Sequence, residues 1–134
     1  MKNKKDLLST LWIFLTLNYL YCDLMGLMDA NLLKQYLTGS VDGLEMTESF
    51  LFYAALLMEI PIAMVLLSKV LSYKANAWAN IIAGVLKTLA MVATFFVGTA
   101  TQYYTFFATI EIATSIFIVG YAWKWLKEKE TAFA

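Results

Sequence analysis

Histidine and arginine are both missing from the 134-residue chain, and proline and cysteine occur once each. Without histidine there is no imidazole metal site, no axial haem ligand and no base for a serine-type triad. Without arginine there is no bidentate clamp for phosphate or carboxylate. A single cysteine, Cys22, allows neither an intrachain disulfide nor a CxxC redox pair, which separates the chain from four-helix quinone-linked thiol oxidases. Charge is sparse as well: 15% of residues are charged, ten positive against ten negative. No Gly-rich phosphate loop, metal-ligand spacing or nucleic-acid surface is present, so no cofactor, metal or nucleic-acid partner is expected.

Apolar residues are abundant, 61% of the chain, and they fall in long blocks. A hydrocarbon core needs about 20 helical residues to cross it. Four segments qualify: about 7–28, 49–68, 77–98 and 103–123. The spacing predicts an all-α integral membrane four-helix bundle, a single transmembrane domain over 1–134 with the lipid bilayer as its first partner. Tyr21 precedes Cys22 where a lipoprotein signal needs a small residue, and no small-x-small cleavage site follows the first block. That block is therefore expected to stay as a helix.

The connecting segments sort by charge. Lys2, Lys4 and Lys5 precede the first span, Lys69 and Lys74 lie between the second and third, and Lys124, Lys127 and Lys129 follow the fourth. The segment from Asp29 to Glu48 carries one lysine against four carboxylates, and the turn from Thr99 to Gln102 carries no charge. The positive-inside rule then places both termini in the cytoplasm. Trp12, Trp78, Trp123 and Trp125 would form an aromatic belt on that side. Leu32, Leu33, Tyr36 and Leu37 recur at helical spacing, with Asp29 or Asn31 to cap the start and Gly39 to end it, which predicts a short interfacial helix in the first outer loop.

Read at 100° per residue, each span has two faces. In the first, Ile13, Leu17, Leu20, Leu24 and Leu27 oppose Asn18, Cys22 and Gly26, with Tyr19 and Asp23 beside them. In the third, Asn76, Asn80, Ala83, Lys87, Met91, Thr94 and Gly98 oppose Ile82, Val85, Leu89, Val92 and Phe96. The second is read with Phe52, Ala55, Glu59, Ala63 and Leu66 inward, and Pro61 as a kink. The fourth is read with Tyr104, Phe107, Glu111, Ser115, Ile118 and Ala122 inward. Asn18, Glu59, Lys87 and Glu111 fall near the midplane, and Asp23 roughly 7 to 8 Å further out at 1.5 Å per residue.

A charge at the bilayer centre costs about 2.5 to 3.5 kcal/mol on insertion scales, so such residues mark functional sites by default. Lys87 neutralises one carboxylate and leaves another to hold a proton or a cation. The candidate ligand or proton-binding set is Glu59, Glu111, Lys87, Asn18 and Asp23, with no catalytic assignment. The expected function is a non-enzymatic polar cavity that binds, and moves, a proton-linked or cationic small solute. Two alternatives stay open: an enzyme using the carboxylates as acid and base on a lipid-soluble substrate, and a structural subunit of a membrane complex. Homodimerisation is left open too.

Asn18-Tyr19-Leu20-Tyr21-Cys22-Asp23, Met58-Glu59-Ile60-Pro61 and Ile110-Glu111-Ile112-Ala113 resemble segments of small bacterial four-helix membrane proteins of unknown function, and the layout is similar to that of DoxX-like proteins. The resemblance implies a fold and a bacterial inner membrane, and no activity. Small multidrug transporters are similar in layout but carry their midplane glutamate in the first helix, where Asn18 stands here.

Overall fold

The structure, a computed structural model, describes residues 3–98 and 100–133, with the backbone alone for 132 and 133. Lys2 and Thr99, used above in the charge pattern, lie outside the described residues. The elements are α1 (Lys4–Met28), α2 (Ala30–Thr38), a two-stranded hairpin of β1 (Ser40–Val41) and β2 (Leu44–Glu45), α3 (Glu48–Val70), α4 (Tyr73–Thr94) and α5 (Gln102–Phe133). Among the described residues α1, α3, α4 and α5 are long and apolar enough to cross a membrane.

Local chemistry sets the boundaries. The Asn3 side chain accepts from Lys5 N to start α1, Asp29 caps α2, and the Thr47 hydroxyl accepts from Phe50 N to start α3. Each cap satisfies a backbone donor with no partner inside its helix. Gly39 ends α2 at φ 82°, a left-handed conformation that glycine adopts freely. Asp42 and Gly43, at φ 49° and 82°, make the tight turn between the strands, as an Asp-Gly pair favours. The third span starts and stops four residues earlier than its hydropathy suggests, because Ser72 and Tyr73 can open a helix and Gly98, at φ 72°, belongs to the following turn.

The four long helices close into a ring in which α1 and α4 each pack between α3 and α5. Buried Leu8, Trp12, Leu15, Met64, Ile118 and Leu126 form much of its core. α4 and α5 make the most extensive pair, and Gly84 is why they can: a Cβ there would stand 3.3 Å from the Ser115 carbonyl oxygen and against Val119. Small residues at such crossings let membrane helices approach closely.

At the end of the bundle where the chain starts, a buried polar network ties three helices. Trp12 Nε1 donates to Asn80 Oδ1 at 2.7 Å, Ser68 Oγ donates to the same oxygen at 3.4 Å, and Asn80 Nδ2 donates to Asn76 Oδ1 at 2.8 Å. Asn76 Nδ2 in turn donates to the Ser68 carbonyl at 2.6 Å. Trp12 is therefore fully buried and is no part of an aromatic belt, a correction to the sequence reading. Its indole is drawn inward by a hydrogen-bond acceptor that apolar lipid lacks. Trp125 is also buried, while Trp78 and Trp123 are exposed and pack edge to face on each other. Asn80→Leu removes a partner from Trp12, Ser68 and Asn76 at once, and is expected to destabilise the bundle by about 1 to 3 kcal/mol, read as a lower melting temperature in detergent.

The same end gathers the ion pairs. Lys4 pairs with Glu128, and Lys69 Nζ lies 3.6 Å from Asp6 Oδ1. Tyr73 donates to the Leu126 carbonyl at 2.9 Å and packs edge to face on Trp125, which docks the last turns of α5 on the start of α4.

Candidate functional site

The opposite end is hollow. Gly26 lets α2 fold back over the end of α1, since a Cβ at Gly26 would stand 3.1 Å from Leu32 Cδ2. Tyr103 on α5 donates to Asp29 Oδ2 at 3.1 Å, and the other oxygen of Asp29 accepts from Asn31 N at 3.0 Å, so one carboxylate both caps α2 and latches it to α5. The hairpin is held by Asp42 N donating to Gln35 Oε1 at 2.9 Å, and its tip rests against Gly98, where a Cβ would strike the Asp42 carboxylate. Gly98→Ala is expected to lift the hairpin, measured as faster protease cleavage around Asp42-Gly43 with the helical content unchanged.

Under this lid lies a cavity of about 530 Å³, within the range of small-molecule sites. Among the described residues its charged lining is Asp23, Asp29 and Asp42, and no lysine reaches it. Tyr36, Tyr103 and Tyr104 supply aromatic surface, and Thr94 and Thr101 supply hydroxyls. Burial, and then the Asp23 carboxylate, push the Tyr36 hydroxyl above its ordinary pKa, so it stays a neutral donor. Asp23 makes no hydrogen bond or ion pair with any described residue, and it is exposed to the cavity. Among the described residues no three His, Cys, Asp or Glu side chains converge to hold a metal ion.

Beneath the cavity floor are two buried ionisable side chains. Glu111 on α5 is fully buried, and neither carboxylate oxygen has a hydrogen-bond partner. Lys87 on α4 is 1% exposed; its ammonium sits 4.2 Å from the centre of the Tyr19 ring and 3.8 Å from Met58 Sδ. Lys87 has no carboxylate within 4.0 Å among the described residues, so it forms no ion pair with Glu111. Asp23 and Glu111 are nonetheless near enough for their charges to act on it. Tyr19 and Asp23 are one turn apart on α1, which puts the Lys87 ammonium one turn below the cavity carboxylate.

The structure thus brings Asp23, Lys87 and Glu111 to one column and leaves two members of the expected set outside it. Glu59 is exposed on the outer surface of α3, where Phe52, Leu56 and Leu66 are exposed with it. The inner face is instead Met58, Pro61, Met64 and Ser68, about 100° round the helix, and α3 continues through Pro61. Lys87 accordingly bridges no pair of glutamates. Asn18 is half-buried and spends its amide on the Phe14 carbonyl at 2.9 Å, within its own helix. Asp29, Gln35 and Asp42 were missed as site residues, because in the sequence Asp29 and Asp42 read only as a cap and as loop charges and Gln35 carries no charge. The Asp-Gly turn at 42–43 was the available signal that this loop folds back. Glu59→Leu is expected to leave the melting temperature in detergent unchanged or raised, since no described residue pairs with that carboxylate.

Four apolar spans, a buried polar column and a lidded acidic cavity at one end define a small multi-pass membrane protein. The chain matches a family of unknown function, DUF6326, over residues 1–132, and it belongs to that family. No curated protein and no solved structure matches it.

Proposed function

We infer that the cavity binds a small monovalent organic cation, an amine, as the first step of proton-linked transport across a bacterial inner membrane. One observation carries this reading: among the described residues, three aspartates and no basic side chain line a space of about 530 Å³ whose remaining walls include three tyrosines. A carboxylate with aromatic faces beside it is the chemistry that holds an ammonium group. The absence of converging metal ligands among the described residues favours an organic cation over a metal ion. The lysines near the described ends of α1, α3 and α5 favour a cytoplasmic location for both termini, so that the cavity opens outward.

The reading is tested by calorimetric titration of the purified protein with benzylamine and with benzoate, which share a shape and differ in charge. Saturable binding of the amine and none of the benzoate is expected. Equal behaviour of the two, or binding of benzoate alone, contradicts it.

A second reading, a subunit of a membrane complex, is favoured by the exposed Glu59 midway along α3. A carboxyl group facing lipid there is satisfied by a polar group from a neighbouring chain, a second copy included. Cross-linking in native membranes through a cysteine introduced at Leu56 distinguishes this reading, because it expects a specific cross-linked product and a monomer gives none.

A further inference from the structure

The seat of the Lys87 ammonium has the composition of a cation-binding site in its own right. The Tyr19 ring face and the Met58 thioether touch it, and Glu111 lies close by with two buried, unpartnered oxygens. The groups facing Lys87 from the other helices are Tyr19 and Asp23 of α1, Met58 of α3 and Glu111 of α5. A buried lysine in a purely structural role would be expected to reach the nearest carboxylate and form a hydrogen-bonded pair. Here the ammonium lies on an aromatic face instead, and the acid is left without a donor.

We propose that Lys87 is a tethered cation occupying a second, deeper ammonium seat one helical turn below Asp23, which a ligand amine takes when the lysine charge is removed. This rests on the cavity reading above and deepens it: the same ligand class has two stations, an outer one at Asp23 and an inner one at Tyr19, Met58 and Glu111. The inner station is held shut by the protein's own amine. Lys87 thereby stops a bound cation at the outer station, and loss of its proton removes the like charge from the inner one. That proton leaves through the cavity past Asp23, so one positive charge replaces another beside Glu111. A cation advances inward only as a proton departs, and exchange follows from the geometry of a single side chain.

The test compares wild type with Lys87→Met by benzylamine titration, while the Met58 methyl group is followed by NMR. Lys87→Met is expected to bind the amine on the order of tenfold or more tightly, because a like charge nearby is gone. Its Met58 methyl resonance should shift on titration, whereas that of wild type should stay put. The gain in affinity should vanish in the Lys87→Met, Glu111→Gln double variant. Where Lys87→Met does not fold, Lys87→Gln, which is uncharged but keeps a polar side chain at this position, serves in its place. A neutral variant that binds no more tightly than wild type, or that binds without moving the Met58 signal, overturns the proposal and leaves the outer site standing. A wild-type protein that binds no amine overturns the cavity reading beneath it.

Discussion

Asp23→Asn is expected to weaken amine binding about ten to a hundredfold, the worth of one charge-assisted hydrogen bond of about 1.5 to 3 kcal/mol. The effect concentrates at Asp23 because the Asp29 carboxylate is committed elsewhere and Asp42 belongs to the hairpin turn. Asp29 caps α2 and accepts from Tyr103, and Asp42 lies against the Gly98 turn. Asp23 has no partner among the described residues, and it stands above the buried Lys87 and Glu111. Its substitution should leave the melting temperature near that of wild type, since no protein contact is lost. Asp29→Asn should do the reverse: it loosens the lid and lowers stability, with a smaller effect on affinity at saturation. Calorimetry and a melting curve on the same two variants separate these outcomes.

Gly84→Leu is expected to leave no folded protein. At this position α4 and α5 come so close that even the single carbon of alanine would press on Val119 and on the Ser115 backbone. Overpacking of that kind costs about 1 to 3 kcal/mol for modest additions, and leucine adds three further carbons at the same point. The helices would have to separate, which would also open the layer where Glu111 is buried. Gly120 offers the control, because a Cβ there meets nothing within 4 Å. Gly120→Ala should elute and melt like wild type, while Gly84→Ala melts earlier and Gly84→Leu aggregates on extraction. A monodisperse, helical Gly84→Leu would contradict the packing described here.

The faces of α1 and α4 could be read from sequence because each carries a polar row opposed to an aliphatic one, and that of α5 because Glu111 and Ser115 lie one turn apart on one side. Ile13, Leu17, Leu20, Leu24 and Leu27 are all exposed, as are Ile82, Val85, Leu89, Val92 and Phe96, and Lys87 and Glu111 are buried. In α3 no such opposition exists. The middle of the helix is apolar on every side, and Glu59 was the one charge there by which to orient it. Packing instead follows the shapes of Met58, Pro61 and Met64, with Ser68 at the polar end. Periodicity records polarity, and a uniformly apolar helix conceals which side fits its neighbours. The short outer helix was legible from its caps, Asp29 and Gly39, but its role over a cavity was not. That role depends on contacts from Tyr103 and Gly98, which lie 74 and 56 positions away from the residues they meet, Asp29 and Asp42.

The pairing of charges was the least legible part. Spacing along helices places Lys87 and Glu111 at one depth, yet whether they touch is decided by rotamers and by the competing Tyr19 face. The column of Asp23, Lys87 and Glu111 is assembled from three helices, and its sense comes from what each side chain lacks as much as from what it contacts.

Cys22, the single cysteine, lines the cavity beside Asp23 and reports on it directly. In right-side-out membrane vesicles, a cationic methanethiosulfonate added outside should label Cys22 faster than an anionic one of equal size, and benzylamine should protect the thiol in wild type but not in Asp23→Asn. Labelling at equal rates by the two reagents, or labelling only from the cytoplasmic side, would contradict an outward-facing cation site.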